Sequence, residues 1–144
     1  LEAAELSWST CAALEKAGAP VAIHTDDWIT DSRLFLRSAA TAVRGGMSRQ
    51  GALRALTIEG AKILDLADRI GTLDTGKDAD FIILSGDPFS LYTKVEQTWV
   101  EGRKVFDLSN PADRLYATGG FGAGYSQTPY MCCAENARGE EFGQ

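Results

Sequence analysis

The run of residues 21–27, Val-Ala-Ile-His-Thr-Asp-Asp, constrains the fold of this chain more than any other. Its three apolar residues do not alternate with polar ones, as expected for a strand buried on both faces of a parallel sheet. Pro20 stands before it, where a strand tolerates a missing N–H. The run ends in polar groups, including Asp26, which is how a barrel strand carries an active-site carboxylate at its C-terminal end. We therefore predict a buried strand at about residues 20–25.

Helical patterns flank this strand on both sides. Residues 3–17 carry an apolar stripe at spacings of three and four, and Gly18 is placed to end that helix. Three more helices are predicted before about residue 68, the first ending at Gly45-Gly46. Their predicted caps are Thr30, Asp31 or Ser32, then Ser48, then Thr57. The residues predicted to face inward are Ala4, Trp8, Cys11, Leu14, Phe35, Leu36, Ala39, Ala40, Val43, Ala52, Leu53, Leu56, Ala61 and Leu64. This alternation of helix and buried strand indicates the α/β class.

From about Gly71 the pattern changes to turns and short strands. A buried strand is predicted at residues 81–84, and a hairpin joins residues 95–100 to 103–106 across a Glu-Gly turn. Periodicity disappears from about Leu108. These strands do not close a sheet by themselves, so they need partners or expose pairing edges. We therefore expect a chain that is incomplete on its own, either the C-terminal piece of a longer protein or a chain associated with another.

Charge and composition exclude several classes of protein. The chain has 14 basic and 20 acidic residues, a net charge of -6, which argues against a nucleic-acid partner. No apolar run approaches the roughly 20 residues that span a bilayer, which argues against a membrane partner. The chain begins with Leu1-Glu2, so the lack of a signal peptide leaves the compartment open, with the cytoplasm favoured. The cysteines form no disulfide framework and no C-x-x-C pattern; they are Cys11, Cys132 and Cys133.

Asp26 is the candidate functional residue, and its position allows two interpretations. It shapes a turn or caps the next helix, or it binds a divalent cation and accepts a proton from activated water. A catalytic zinc needs about three protein ligands. His24 is the only histidine of the chain, and a lone histidine is more typical of packing than of a metal site. Asp27 and Asp31 are expected to be solvated or capping, so most of any metal site would lie outside this chain.

Two glycine-rich segments are predicted to be structural. Residues 71–80 begin like a phosphate loop, but Asp78 replaces the Ser or Thr and a strand follows where a helix should. Asp78 and Asp80 are expected to bond nearby backbone N–H groups. Residues 119–125 lack the strand and helix of a dinucleotide fingerprint. The aromatic residues that are candidates for anchoring this tail to a surface are Phe121, Tyr125 and Tyr130.

Five short motifs follow one another between about Gly18 and Asp107. They are Ile23-His24-Thr25-Asp26, then Ala55-Leu56-Thr57 with Ala61-Lys62-Ile63-Leu64-Asp65-Leu66, then Arg69-Ile70-Gly71-Thr72-Leu73-Asp74-Thr75-Gly76-Lys77-Asp78-Ala79-Asp80, then Gly86-Asp87-Pro88, then Val100-Glu101-Gly102-Arg103-Lys104-Val105. In this order they resemble the C-terminal part of the metal-dependent amidohydrolase superfamily, closest to its imidazolonepropionase-like branch. The spacing inside the second motif is shorter than the family pattern.

This resemblance implies a fold and a division of the chain. The family fold is a (β/α)8 barrel beside a small β-sandwich built from both chain ends. Residues 1–68 would then be the last strand and helices of the barrel, and residues 69–107 the C-terminal strands of the sandwich. Residues 108–144 would form a C-terminal extension that matches nothing in the family.

The resemblance also implies an activity. Family members use a divalent metal, here expected to be zinc, to cleave a C–N bond in a small-molecule amide or cyclic amide. Asp26 matches the metal-site carboxylate and proton shuttle. The family's His-x-His pair, its lysine or glutamate ligand and its two later histidines are not supplied here. The expected partner is therefore the missing N-terminal barrel portion, and the isolated chain is expected to be inactive.

Other readings of the chain stay open at this point. It fits a non-catalytic assembly or binding module that reuses the amidohydrolase half-fold, with the aromatic tail as its contact. It also fits a subunit whose missing metal ligands come from a separate chain. A homo-oligomer is compatible with each of these.

Overall fold

The computed structural model describes residues 7–26 and 30–118 of the chain. Within these ranges it contains helices, a short antiparallel sheet and one further helix. In chain order they are α1 (Thr10–Lys16), a 3-10 turn (Ser32–Leu34), α2 (Phe35–Arg44), α3 (Arg49–Ala55), α4 (Ile58–Ile63), β1 (Phe81–Leu84), β2 (Val95–Val100), β3 (Arg103–Asp107) and α5 (Pro111–Thr118).

Helix α1 is shorter than the predicted helix over residues 3–17. It begins at Thr10, and Ser7 accepts a backbone hydrogen bond from the Thr10 N–H at 3.1 Å just before it. The predicted apolar stripe is only partly right, because Cys11 is half-buried whereas Trp8 and Leu14 are exposed. Ala4 lies outside the described residues.

Residues 20–25, where a buried strand is predicted, form no strand in the described part of the chain. The segment forms no strand pairing, and its apolar residues 21–23 are only half-buried. A strand needs a neighbouring strand to take its backbone hydrogen bonds. The described part of the chain offers none here, and the Ile23 N–H instead donates to the Ala55 carbonyl oxygen at the end of α3, at 3.0 Å.

Two of the three predicted helix caps are confirmed. Asp31 accepts a hydrogen bond from the Arg33 N–H at the start of the 3-10 turn, and Ser48 Oγ accepts one from the Gly51 N–H at 2.9 Å. Thr57 does not cap α4. Its hydroxyl donates back to the Leu53 carbonyl oxygen at 2.9 Å, which satisfies the preceding turn instead.

The core of the described helices consists almost entirely of alanine. Its buried cluster is Ala39, Ala42, Met47, Ala52 and Ala55, with half-buried Ile23 and Phe89 packed against it. Two larger side chains predicted to face inward are instead exposed, Leu53 at 48% and Leu64 at 67%. The alanines of each helix occupy the inner stripe, so these leucines lie on the outer side of the turn.

The sheet has the order β1-β2-β3, and both described pairs are antiparallel. The predicted hairpin is confirmed, with its turn at Glu101 (φ 49°) and Gly102 (φ 71°), the two positive φ angles that a two-residue hairpin turn of type I′ requires. Phe81 stacks on Trp99 across β1 and β2, with ring centroids 5.5 Å apart.

The prediction that residues 81–84 form a strand is correct, but the prediction that this strand is buried is wrong. Ile82 and Ile83 are successive residues of β1, point to opposite faces, and are both exposed. The part of the chain that the structure describes therefore covers both faces of β1 only in part, leaving Ile82 at 42% and Ile83 at 40% exposed. β1 and β3 each also keep one edge without a described partner.

The segment 71–80 is structural, as predicted. Asp80 Oδ1 accepts a hydrogen bond from the Glu101 N–H at 2.7 Å, which fastens the segment to the hairpin turn. Asp78 pairs with Arg69 at 2.7 Å, and Lys77 Nζ donates to the Ala67 carbonyl oxygen at 2.6 Å. Asp78 thus bonds a side chain through its carboxylate, where a backbone N–H was expected.

Helix α5 was not predicted, because periodicity is weak after Leu108. The start signal is nevertheless present in the sequence. Asn110 Oδ1 accepts a hydrogen bond from the Ala112 N–H at 3.0 Å, and Pro111 occupies the first helical position, where its missing N–H costs nothing. The predicted aromatic anchors of the tail, with Cys132 and Cys133, lie outside the described residues.

Substitution of Gly71 by alanine is expected to destabilise the protein more than the same change at Gly76. Both glycines have a left-handed φ, 89° and 91°, so both changes cost about 1–2 kcal/mol of backbone strain. Only at Gly71 would the new Cβ meet neighbours, Ala61 Cβ and Ile58 Cα at 2.9 Å, whereas nothing lies within 4 Å at Gly76.

This overpacking adds about 1–3 kcal/mol at Gly71. Urea unfolding of the two variants and the wild type measures the difference. Equal free energies of unfolding for the two variants would contradict the described packing of Gly71 on α4.

Candidate functional site

Asp26 lies in the segment that leads from α1 to the 3-10 turn. Its side chain is exposed, and its φ of 53° lies in the left-handed region. Non-glycine residues seldom adopt this conformation, although aspartate tolerates it better than most. Two other described residues share it, and both have ordinary reasons: Asp65 follows the end of α4, and Glu101 forms the hairpin turn. Asp26 occupies neither a helix end nor a hairpin.

The backbone around Asp26 is held at two places. On one side the Ile23 N–H bonds to Ala55 at the end of α3, 3.0 Å away. On the other side the Thr30 N–H donates to the Thr25 carbonyl oxygen at 3.2 Å, which closes the loop that contains Asp26. His24 is exposed, and Asp27 lies outside the described residues.

Asp31 and Arg33 form a tight pair just after this loop. The Asp31 carboxylate accepts hydrogen bonds from the Arg33 backbone N–H at 2.9 Å, from Nε at 3.0 and 2.9 Å, and from Nη2. The guanidinium and then the backbone N–H of Arg33 hold the pKa of Asp31 at about 2, below its ordinary 3.8. The expectation that Asp31 caps a helix is confirmed, but its ion pair was not predicted.

The described residues do not form a metal site by themselves. No group of three or more His, Cys, Asp and Glu side chains converges within residues 7–26 and 30–118. Asp26 contributes one carboxylate, and a catalytic zinc takes about three protein ligands. The residues present therefore do not fit a complete metal centre, and any metal bound at Asp26 would need ligands from elsewhere.

A second contact joins the helices to the sheet. Arg49 Nη2 donates to Asp87 Oδ1 at 2.6 Å, and its guanidinium lies 4.9 Å from the centroid of the Phe89 ring. The same Asp87 oxygen accepts the Phe89 N–H at 3.0 Å. These bonds, and above all the Phe89 N–H, lower the pKa of Asp87. The Gly-Asp-Pro turn was recognised in the sequence only as a turn, and its role as a junction was missed because Arg49 lies 38 residues away.

A cavity of the described part of the chain is not lined by Asp26. It measures about 1170 Å³ and runs between α2, the loop before β2, the ends of β2 and β3, and α5. Apolar side chains on its wall include Leu36, Phe89, Val95 and Phe106. Asp31 and Arg33, which follow the loop that contains Asp26, do line this cavity.

Comparison with known proteins identifies the class. Residues 2–106 match the family model described as "Amidohydrolase family". Since this match covers most of the chain, the protein belongs to the amidohydrolase family, and the resemblance drawn from the five motifs is confirmed. Members of this family are hydrolases and are generally metal-dependent.

Individual proteins of this family and their structures show which amidohydrolases the chain is similar to. The chain is 40% identical over 73 residues to an imidazolonepropionase from Syntrophobacter fumaroxidans, covering 48% of this chain and 17% of that protein. An amidohydrolase structure from Thermotoga maritima has a TM-score of 0.68 and 39% identity, covering 71% of this chain and 27% of that one. A Xaa-Pro dipeptidase structure with methionine bound in its active site has a TM-score of 0.60 and 25% identity, covering 67% and 25%.

The chain therefore spans less than a third of the length of each of these three proteins. The described part of the chain mixes helices with a three-stranded antiparallel sheet, and its structural neighbours are amidohydrolases. No helix in the described ranges is both long and apolar enough to cross a bilayer.

The Asp31→Asn variant is expected to lose a pH-dependent part of the stability. Because the native pKa of Asp31 is depressed from 3.8 to about 2, the contribution of the ionised carboxylate is fully present above 3.8 and is lost as the pH falls through about 2. The thermal midpoints of wild type and variant should therefore converge in that range. Arg33→Ala, which removes the same pair from the other side, should behave alike. A gap that stays constant down to pH 2 would rule out the ion pair as its source.

Proposed function

We propose that this chain is the C-terminal part of a metal-dependent hydrolase that cleaves a C–N bond in a small-molecule amide or cyclic amide. The observation that carries the proposal is Asp26. It is an exposed, conformationally strained aspartate that ends the first motif of the amidohydrolase match, and strained residues of this kind cluster at active sites.

Two further observations support a larger parent enzyme. The chain spans 17% to 27% of the lengths of the imidazolonepropionase and the Thermotoga maritima amidohydrolase. Large apolar side chains are also exposed on both described layers, such as Leu53 and Leu64 on the helices and Ile82 and Ile83 on the sheet. Apolar patches of this kind are typical of surfaces that another part of a protein covers.

Within that parent we assign three regions. Residues 1–68 are the last strand and helices of a (β/α)8 barrel, residues 69–107 are the C-terminal strands of a small β-sandwich, and residues 108–144 are an extension. In this assignment residues 20–25 gain the strand neighbours that they lack here, because the preceding barrel strands would lie beside them. The N-terminal barrel portion is thus the partner that the chain requires.

We assign Asp26 as one metal ligand and as the proton relay. A divalent cation, in our proposal zinc, would be held in part by Asp26 and would supply the acidity that lets water ionise near neutral pH. The carboxylate of Asp26 takes a proton from the attacking water and returns it to the leaving nitrogen. The remaining ligands would come from the barrel, since the described part of this chain brings no second and third ligand to Asp26.

The substrate class follows from the relatives. One is an imidazolonepropionase and another a Xaa-Pro dipeptidase, so a cyclic amide and a dipeptide amide are the two substrates to compare. We favour the cyclic amide, because identity to the imidazolonepropionase is 40% and to the dipeptidase 25%.

The mass and metal content of the protein encoded by the complete reading frame test the proposal first. A barrel takes about 250 residues, so we expect a mass of about 45 kDa or more with about one metal ion per chain. A protein of 15.5 kDa without metal would contradict it and would favour a non-catalytic module or a separate ligand-bearing subunit.

In the complete protein, Asp26→Asn should lower turnover of the preferred amide by about 10²–10⁴-fold, because the proton relay is lost. Asp65→Asn is the matched control, since Asp65 is an exposed aspartate with a similar φ of 57° and lies outside the proposed site. Steady-state hydrolysis of both variants gives the comparison. Near-normal turnover by Asp26→Asn would remove the role that we assign to it.

A further inference from the structure

The hydrogen bond from the Thr30 N–H to the Thr25 carbonyl oxygen, 3.2 Å long, acts directly on Asp26. The Thr25 carbonyl belongs to the same planar peptide unit as the nitrogen and Cα of Asp26. Holding that oxygen therefore fixes the bond about which the Asp26 φ of 53° is set. The backbone position from which the Asp26 side chain projects thus depends on where Thr30 is held.

Thr30 is followed directly by Asp31, and Asp31 is fixed through both its side chain and its backbone. Its carboxylate bonds the backbone N–H and the Nε of Arg33 at 2.9–3.0 Å and also Nη2. Its carbonyl oxygen accepts the Leu34 N–H at 2.8 Å. These bonds therefore fix residue 31 to the 3-10 turn that precedes α2.

A helix cap alone would not need this arrangement. Serine or asparagine would accept the Arg33 N–H equally well. The side chains of Arg33 and Asp31 remain 54% and 35% exposed, and ion pairs at such sites contribute little to stability. The guanidinium additionally fixes the orientation of the Asp31 carboxylate, because a planar guanidinium binds a carboxylate in only a few geometries.

We propose that Asp31, held by the Arg33 guanidinium, is a positioning residue for Asp26. The pair fixes Thr30, Thr30 fixes the Thr25–Asp26 peptide, and the Asp26 carboxylate is thereby aimed. The inference rests on the proposed function of Asp26, and neither Asp31 nor Arg33 contacts the reacting atoms.

The test uses the complete protein carrying Asp31→Asn or Arg33→Ala. Asp31→Asn keeps an oxygen that accepts the Arg33 N–H and loses only the ion pair with the guanidinium. The turn that precedes α2 is therefore retained. We expect kcat per folded enzyme to fall about 10- to 100-fold with little change in KM, the range seen when residues that orient a metal ligand are removed. We also expect the bound metal to pass to a chelator faster, a readout independent of turnover.

The double variant Asp31→Asn with Arg33→Ala should be no worse than either single variant, because all three lose the same interaction. Arg37→Ala is the matched control. Arg37 is an exposed arginine in the first turn of α2, four residues after Arg33, and forms no ion pair within the described residues. It should leave kcat and metal loss unchanged.

Unchanged kcat and unchanged metal loss in the Asp31 and Arg33 variants would overturn the inference, as would an equal fall in Arg37→Ala. If Asp26→Asn is inactive in the same assay, the proposed function stands and only the positioning role fails. If Asp26→Asn itself retains turnover, both fail. A fall in kcat per folded enzyme in Asp31→Asn, measured well below the thermal midpoint of that variant, supports positioning over a purely structural role.

Discussion

Close packing of alanine side chains is the constraint on which the helical part depends. Ala39 and Ala42 of α2 meet Ala52 and Ala55 of α3, with Met47 filling the corner between the helices. Small side chains let helix axes approach near the lower end of the usual 8–10 Å range. They also bury little surface, at about 0.8 kcal/mol for each CH₂-sized group. The helices therefore gain proximity from this core more than they gain hydrophobic stabilisation.

Polar contacts connect the elements that the small core does not hold together. Glu15 of α1 accepts hydrogen bonds from both the backbone N–H and the hydroxyl of Ser48, at 2.7 and 2.5 Å, so the last turn of α1 is fixed to the start of α3. The hydroxyl bond is the main cause of the lowered pKa of Glu15. Arg49, the next residue along, ties α3 to the sheet through Asp87. One short stretch of chain thus connects three elements.

Local signals in the sequence predicted the local structure. The caps at Asp31 and Ser48 and the Glu-Gly hairpin rest on neighbouring residues, and each was read correctly. The errors arose where structure depends on distant neighbours. Residues 21–23 have the composition of a buried strand, but a strand exists only beside another. Leu53 and Leu64 likewise have the pattern of inward residues, while the alanines took the inner stripe.

In the candidate site, too, features that depend on neighbouring residues were predicted more readily than features that depend on distant ones. Asp26 was singled out from its own motif, because a carboxylate after an apolar run is a local signal. The Asp31–Arg33 pair is equally local. The capping role of Asp31 was predicted from its residue type. The guanidinium fork was missed because an arginine two residues after an aspartate more often extends into solvent. The Arg49–Asp87 junction spans 38 residues and has no sequence signature.

The edges of the sheet affect how this polypeptide associates with other chains. The outer edges of β1 and β3 have no strand partner among the described residues, although the Asp107 N–H at the end of β3 donates to Asp113 Oδ2 at 2.9 Å. The exposed isoleucines of β1 lie beside one of these edges. Such edges accept any extended chain that reaches them, including another copy of the same polypeptide. Copies of this polypeptide in which no other strand covers these edges would therefore associate with one another.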